Sequence, residues 1–135
     1  MERKRLEDLV VRFTDAFNRD DLDGVMSFMA ENAIYDAVNG RQSRGTQAIR
    51  EVFVPQFRGD FGRIRFLTED LFVDPESGKA LIRWLCTLQN DGQTSGWRGL
   101  DILRFEEGLL VEKHTYAKAQ VPLIVEQGED DPQAR

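Results

Sequence analysis

The chain has 135 residues, of which 41% are hydrophobic and 31% charged, an ordinary globular balance that allows one domain with a sizeable core and excludes wholesale disorder and fibrous classes. A net charge of -6 and scattered basic residues exclude an electrostatic grip on nucleic acid or an anionic membrane, because counterion release needs clustered Lys and Arg. The single cysteine, Cys86, excludes an internal disulfide and gives no metal-ligand spacing.

From Glu2 to Arg19, residues Leu6, Leu9, Val10, Phe13, Ala16 and Phe17 recur at three- and four-residue steps, which predicts an amphipathic helix. The basic triplet Arg3-Lys4-Arg5 lies beside Glu2, Glu7 and Asp8 at its start and reads as a solvated face. Asp20 or Asp21 is placed to cap a second, short helix that turns Leu22, Val25, Met26 and Met29 inward. "AIYDAV" then reads as a short strand and "NGRQSRG" as its turn-rich exit. Thr46 is placed to cap a third helix, "QAIREVFV", with Ile49, Val52 and Phe53 on one side and Pro55 set to end it.

Four strand-like runs follow, "RIRFLTEDLFVD", "KALIRWLCTLQ", "TSGWRGLDILRFE" and "LLVEKHTYAKA", separated by the hairpin-type turns "PESG", "NDG" and "EEG". Three helices and then a meander predict an α+β fold: the helices pack on a strongly curved, mainly antiparallel sheet, barrel-like and cone-shaped, that encloses a pocket. One domain over residues 1–125 and a flexible acidic tail over 126–135, "EQGEDDPQAR", are expected. No leader-like segment and no bilayer-length apolar run is present, so a soluble, cytoplasmic protein is expected.

The stretch "RGLDILRFEEG" places an acid in the middle of a strand. Alternation puts Trp97, Gly99, Asp101, Leu103 and Phe105 on one face and Arg98, Leu100, Ile102 and Arg104 on the other. Asp101 on so apolar a face is edged out to solvent, paired, or placed inside a pocket for chemistry. Cys86, inside a strand, reads as a buried small hydrophobe rather than a reactive thiol. There is no phosphate-cradling glycine loop, nucleophile elbow, zinc-type His cluster or dinucleotide fingerprint.

The order "AFNRDDLDGVMSFMAENAIYDAV…RGTQAIREVF", followed by "GWRGLDILRFEEGLLVEKHTYAK", resembles the nuclear transport factor 2-like superfamily and, within it, the SnoaL-like polyketide cyclase and ketosteroid isomerase group. The resemblance covers roughly Leu6 to Lys118 and implies the same cone of three helices and a curved sheet. It leaves the activity open, since the fold hosts isomerases, cyclases, epoxide hydrolases and proteins without catalysis.

Residue by residue, the resemblance carries the isomerase's oxyanion-hole acid onto Asp101, a carboxyl that such enzymes keep protonated as a donor. The isomerase tyrosine falls on Phe13 and its general-base aspartate on Ala37, so two of those groups are missing. In a limonene-type epoxide hydrolase template, Tyr35 is kept, Ala37 replaces an Asn, Thr115 an Asp and Gly99 an Arg. Register taken from the resemblance puts Ile82, Trp84, Cys86 and Leu88 on the cavity side, with Val111, Lys113, Thr115 and Ala117 facing in from the last strand.

His114, the chain's one histidine, then lies on the outer face, where an interface role is expected, and Asp36 lies at the surface or caps a loop. The catalytic candidates are therefore Asp101 as central acid/base or oxyanion donor, Tyr35 as hydrogen-bond donor and Lys113 as tuner of Asp101. Trp84, Trp97, Phe13, Cys86, Leu103 and Thr115 are candidates for binding the substrate. The resemblance implies acid/base chemistry of isomerase, cyclase or hydratase type on a small hydrophobic molecule, without metal or organic cofactor. The alternative is a non-catalytic ligand-binding or dimerisation module. It also implies a homodimer through the outer sheet face, which carries Arg83, Arg98 and Arg104.

Overall fold

In the computed structural model, residues 1–118 are described. The expected acidic tail at 126–135, and the domain's end at 125, lie outside the described residues.

Helix α1 spans Arg3–Asn18 and buries Leu6, Leu9, Val10, Phe13, Ala16 and Phe17, the stripe that the helical period requires. Its neighbour α2, Leu22–Ser27, starts where the Asp21 carboxylate accepts from the Gly24 N–H at 2.9 Å, a side-chain cap that satisfies a free helix donor. Met29, expected inside this helix, is buried instead as the first residue of strand β1.

Strand β1 covers Met29–Asp36, starting before and ending inside "AIYDAV". The stretch read as a turn holds a short strand, β2, Gln42–Arg44, paired antiparallel with β1. Its three polar residues carry no alternation; backbone pairing to β1 makes the strand, not its side chains.

Helix α3 runs from Thr46 to Arg58, straight through Pro55. Gly45, at φ 87, takes the N-cap position expected of Thr46. A proline in a helix loses one hydrogen bond and crowds the preceding turn. The last turn holds here because Phe57 packs on Phe17, ring centroids 5.5 Å apart. Ile49 and Phe53 are buried as expected, whereas Val52 faces solvent at 45% exposure.

The four long runs form β3 (Arg63–Asp74), β4 (Lys79–Asn90), β5 (Gln93–Glu106) and β6 (Leu109–Ala117). They build an open, six-stranded mixed sheet in the order β2-β1-β6-β5-β4-β3. The first strand lies beside the last and parallel to it, while the other neighbours are antiparallel. Both helix stripes and the inner residues of β4 and β5 join in one core, with Leu6, Val10, Ile49, Leu103 and Leu110 almost wholly sequestered. Each such side chain contributes roughly 1.5–3 kcal/mol by leaving water.

One parity expectation fails. Arg104 pairs with Glu112 but Phe105 pairs with Leu110, so Val111 is an extra residue on β6. That bulge puts Leu110 rather than Val111 in the core and still leaves Lys113 facing in. Among the described residues no helix is long and apolar enough to cross a membrane.

Candidate functional site

Strand register brings the polar candidates together. Asp101 on β5 lies opposite Thr115 on β6, and Leu103 opposite Lys113. Tyr35 on β1 lies opposite Lys113 from the other side. Because side chains alternate along each strand, these residues share the concave, helix-covered face.

Asp101 is 8% exposed and Lys113 6%. The Lys113 ammonium donates to Asp101 Oδ1 at 2.9 Å and to Thr115 Oγ1 at 2.8 Å. Thr115 in turn donates to Asp101 Oδ1 at 2.5 Å, and the Trp84 indole N–H donates to Oδ2 at 3.1 Å. Both carboxyl oxygens thus act as acceptors of hydrogen bonds, the arrangement of a carboxylate rather than of a protonated donor. Lys113 Nζ also lies 4.9 Å from the Tyr35 ring centroid and 5.7 Å from that of Phe17, within cation–π range. Among the described residues no fully buried side-chain nitrogen or oxygen lacks a partner.

Burial works against the Lys113 charge, but Asp101 and Tyr35 together outweigh it and hold the lysine pKa above its ordinary value. Burial raises the Tyr35 phenol; Lys113 pulls it back and Asp101 pushes it further up, so Tyr35 keeps its proton. Burial likewise pushes the Cys86 thiol up to about 11, which leaves it a small apolar wall group.

These residues border a cavity of about 130 Å³. Asp101, Tyr35, Lys113, Trp84, Trp97, Phe13, Cys86, Leu103 and Thr115 all line it. Trp97, 41% exposed, stands at its rim rather than within it. Sequence reading missed Phe17, Phe53 and Phe66 as wall residues, and Thr14 and Gln56 as polar ones. Phe17 was within reach, lying one helical turn beyond Phe13; Phe53 and Phe66 enter only because α3 and β3 close on α1, with rings 5.4 and 5.8 Å from Phe17.

Gly99 is a further missed residue. It is the register partner of Trp84, and a Cβ on it would lie 2.6 Å from the indole ring and 2.4 Å from the Tyr116 carbonyl oxygen. Only a glycine lets the indole lie flat across the neighbouring strand with its N–H on Asp101.

The positions that the two enzyme templates assign differently have distinct fates. Phe13 lines the cavity without a hydroxyl, Ala37 falls beyond the end of β1, and Thr115 braces the ion pair. Asp36 lies on the outer, partly exposed face expected of it, and its carboxylate meets His114 Nδ1 there at 3.1 Å. Among the described residues no group of three or more His, Cys, Asp or Glu is placed to hold a metal ion.

The SnoaL-like domain family matches residues 10–113 of this chain. A sequence comparison with curated proteins gives no match. Among solved structures, a provisionally assigned polyketide cyclase from Xanthomonas campestris pv. campestris is similar with a TM-score of 0.75 and 21% identity, over 86% of this chain and 92% of its own. An NTF2-like protein of unknown function from Mesorhizobium loti is similar with a TM-score of 0.73 and 23% identity, over 88% and 96%. SalBIII, an epoxide hydrolase/cyclase-like enzyme with a role in pyran ring formation in the polyether salinomycin, is similar with a TM-score of 0.76 and 15% identity, over 87% and 93%. At these identities the structures speak for the fold alone. By its family match over residues 10–113, this chain belongs to the SnoaL-like domain family.

Proposed function

We propose that this protein is a small-molecule enzyme of cyclase or isomerase type that moves a proton within a hydrophobic substrate bound in the cavity. The observation that carries this is the buried carboxylate of Asp101, held by Lys113, Thr115 and Trp84 at the wall of an aromatic-lined cavity. A charged group is costly to bury, and one set against a cavity is available to a ligand. In this reading Asp101 accepts a proton from the substrate and returns it. The Tyr35 hydroxyl and the Lys113 ammonium face the oxygen on which negative charge develops. Lys113, kept protonated, lacks the free amine that a Schiff base requires. The cyclase and epoxide hydrolase/cyclase-like structures above share this fold and support the reaction class.

A second reading, a non-catalytic ligand-binding module, draws on the same cluster: three donors already engage Asp101, and Phe13 and Ala37 supply no other acid or base. The outer sheet face, where Leu67, Phe72 and Tyr116 are exposed, supports a homodimer formed through it.

Thermal unfolding with and without a panel of flat hydrophobic ketones, together with solvent-deuterium uptake at the ketone's α-carbon, separates the readings. The expected result is a ligand-dependent rise in Tm, with uptake that Asp101→Asn abolishes. Stabilisation without uptake leaves the binding module, and no ligand response in any variant overturns both.

A further inference from the structure

We propose that His114 is a positioning residue for the cavity site: on the outer face of β6 it fastens the end of β1 through Asp36 and thereby holds Tyr35 against Lys113 on the inner face. This rests on the reading above only in that the groups it positions are those assigned there.

The geometry starts from how little of β1 is paired with β6. Met29 pairs with Leu110, and the register then slips, so that pairing resumes only at Ile34, Tyr35 and Asp36, opposite Glu112, Lys113 and His114. Tyr35 therefore meets Lys113 through a three-residue contact at the end of a strand. Successive side chains point to opposite faces, so the step that sets Tyr35 beside Lys113 inside also sets Asp36 beside His114 outside. A link between the outer pair acts directly on the spacing of the inner pair.

That link is a charged one. His114 Nδ1 lies 3.1 Å from Asp36 Oδ2 and Nε2 lies 2.9 Å from Glu112 Oε1. With a carboxylate on each nitrogen, only the imidazolium supplies a donor to both; the neutral ring keeps one N–H. The charged groups facing the ring are Asp36 from β1, Glu112 on β6 itself, and Arg104 from β5, which bonds Glu112 at 2.5 Å and also reaches Glu106. On the far side of β1, Gln42 of β2 lies opposite Asp36, with Arg41 and Arg44 beside it in the chain. Loss of the ring proton removes the positive charge that both carboxylates share, so whichever nitrogen keeps its hydrogen, the Asp36 link falls from an ion pair to at most a neutral hydrogen bond. The carboxylates outweigh the opposing effect of partial burial and keep the His114 pKa above 6.5.

The chain has one histidine and two tyrosines, so Tyr116→Phe leaves Tyr35 as the sole tyrosine. In that full-length protein, with ring-labelled tyrosine, the Tyr35 and His114 resonances are followed by NMR as pH is raised. The expected result is a step in the Tyr35 signal at the same midpoint as the His114 titration, above 6.5, and loss of that step in His114→Gln and in Asp36→Asn. In Asp36→Asn the histidine still titrates, which separates a mechanical tie from the mere field of its charge. A Tyr35 signal that ignores the His114 midpoint, or still follows it in Asp36→Asn, overturns the proposal. If His114→Gln does not fold, Asp36→Asn alone decides. None of these readouts needs turnover, so a failed ligand panel leaves this test standing.

Discussion

Two ionic clusters lie back to back on β6 and differ in what surrounds them. Inward, Lys113 and Asp101 have side chains 7% and 11% exposed, enclosed by aromatic rings and by the donors of Thr115 and Trp84. Outward, His114, Asp36 and Glu112 have side chains 26%, 26% and 30% exposed. Similar pairs of charges therefore carry different consequences. Inside, each charge has only its protein partners and becomes very costly if one is removed. Outside, water shares the load, so each link is weak and open to titration. In the proposed reading the inner cluster holds a reactive carboxylate at the cavity and the outer one responds to pH.

The largest test of this contrast is Lys113→Met, which leaves the Asp101 carboxylate buried without its cation. A loss of about 3–5 kcal/mol is expected from denaturant unfolding, and most of it should return in Lys113→Met/Asp101→Leu, where neither charge remains. By contrast Arg98→Ala, which removes the exposed pair with Glu69, should cost far less, because water and salt screen that pair. Equal losses from Lys113→Met and Arg98→Ala would erase the distinction between the two faces.

A smaller effect is expected from Gly99→Ala, which touches no charge but drives a methyl into the Trp84 ring and the Tyr116 carbonyl. About 1–3 kcal/mol should be lost, as for other overpacked sites, and the indole N–H resonance should move as its bond to Asp101 is disturbed. An unchanged indole resonance would mean that the glycine does not aim Trp84.

The smallest effect belongs to the outer cluster. The raised His114 pKa makes its contribution to stability full below 6.5 and lost as pH rises through the folded-state value. Glu112, whose pKa is lowered first by its bond to His114 and then by Arg104, contributes fully above 4.5 and loses that contribution as pH falls through its own folded-state value. The stability difference between wild type and His114→Gln should therefore be widest between 4.5 and 6.5. A difference that is flat across that range and beyond it would remove the ionic link.

Local pattern carried much of this protein. The α1 stripe, a cap at Asp20 or Asp21 and the runs that became β3 to β6 depend on neighbours a few residues apart, and side-chain period and turn residues report those directly. Parity along β5 was enough to set Asp101 on the face of Leu103, and the register taken from the resemblance turned Lys113 inward from the last strand. The tertiary structure decided what depends on distant partners. It put β1 beside β6, made β2 from a polar segment with no pattern of its own, carried α3 past Pro55 on the packing of Phe57, and inserted Val111 as a bulge. The Trp84 N–H on Asp101, the Thr115 brace and the His114–Asp36 link belong to the same class. Residues 14 to 78 positions apart make these bonds, and their geometry follows from strand register and backbone approach, which composition and periodicity do not encode.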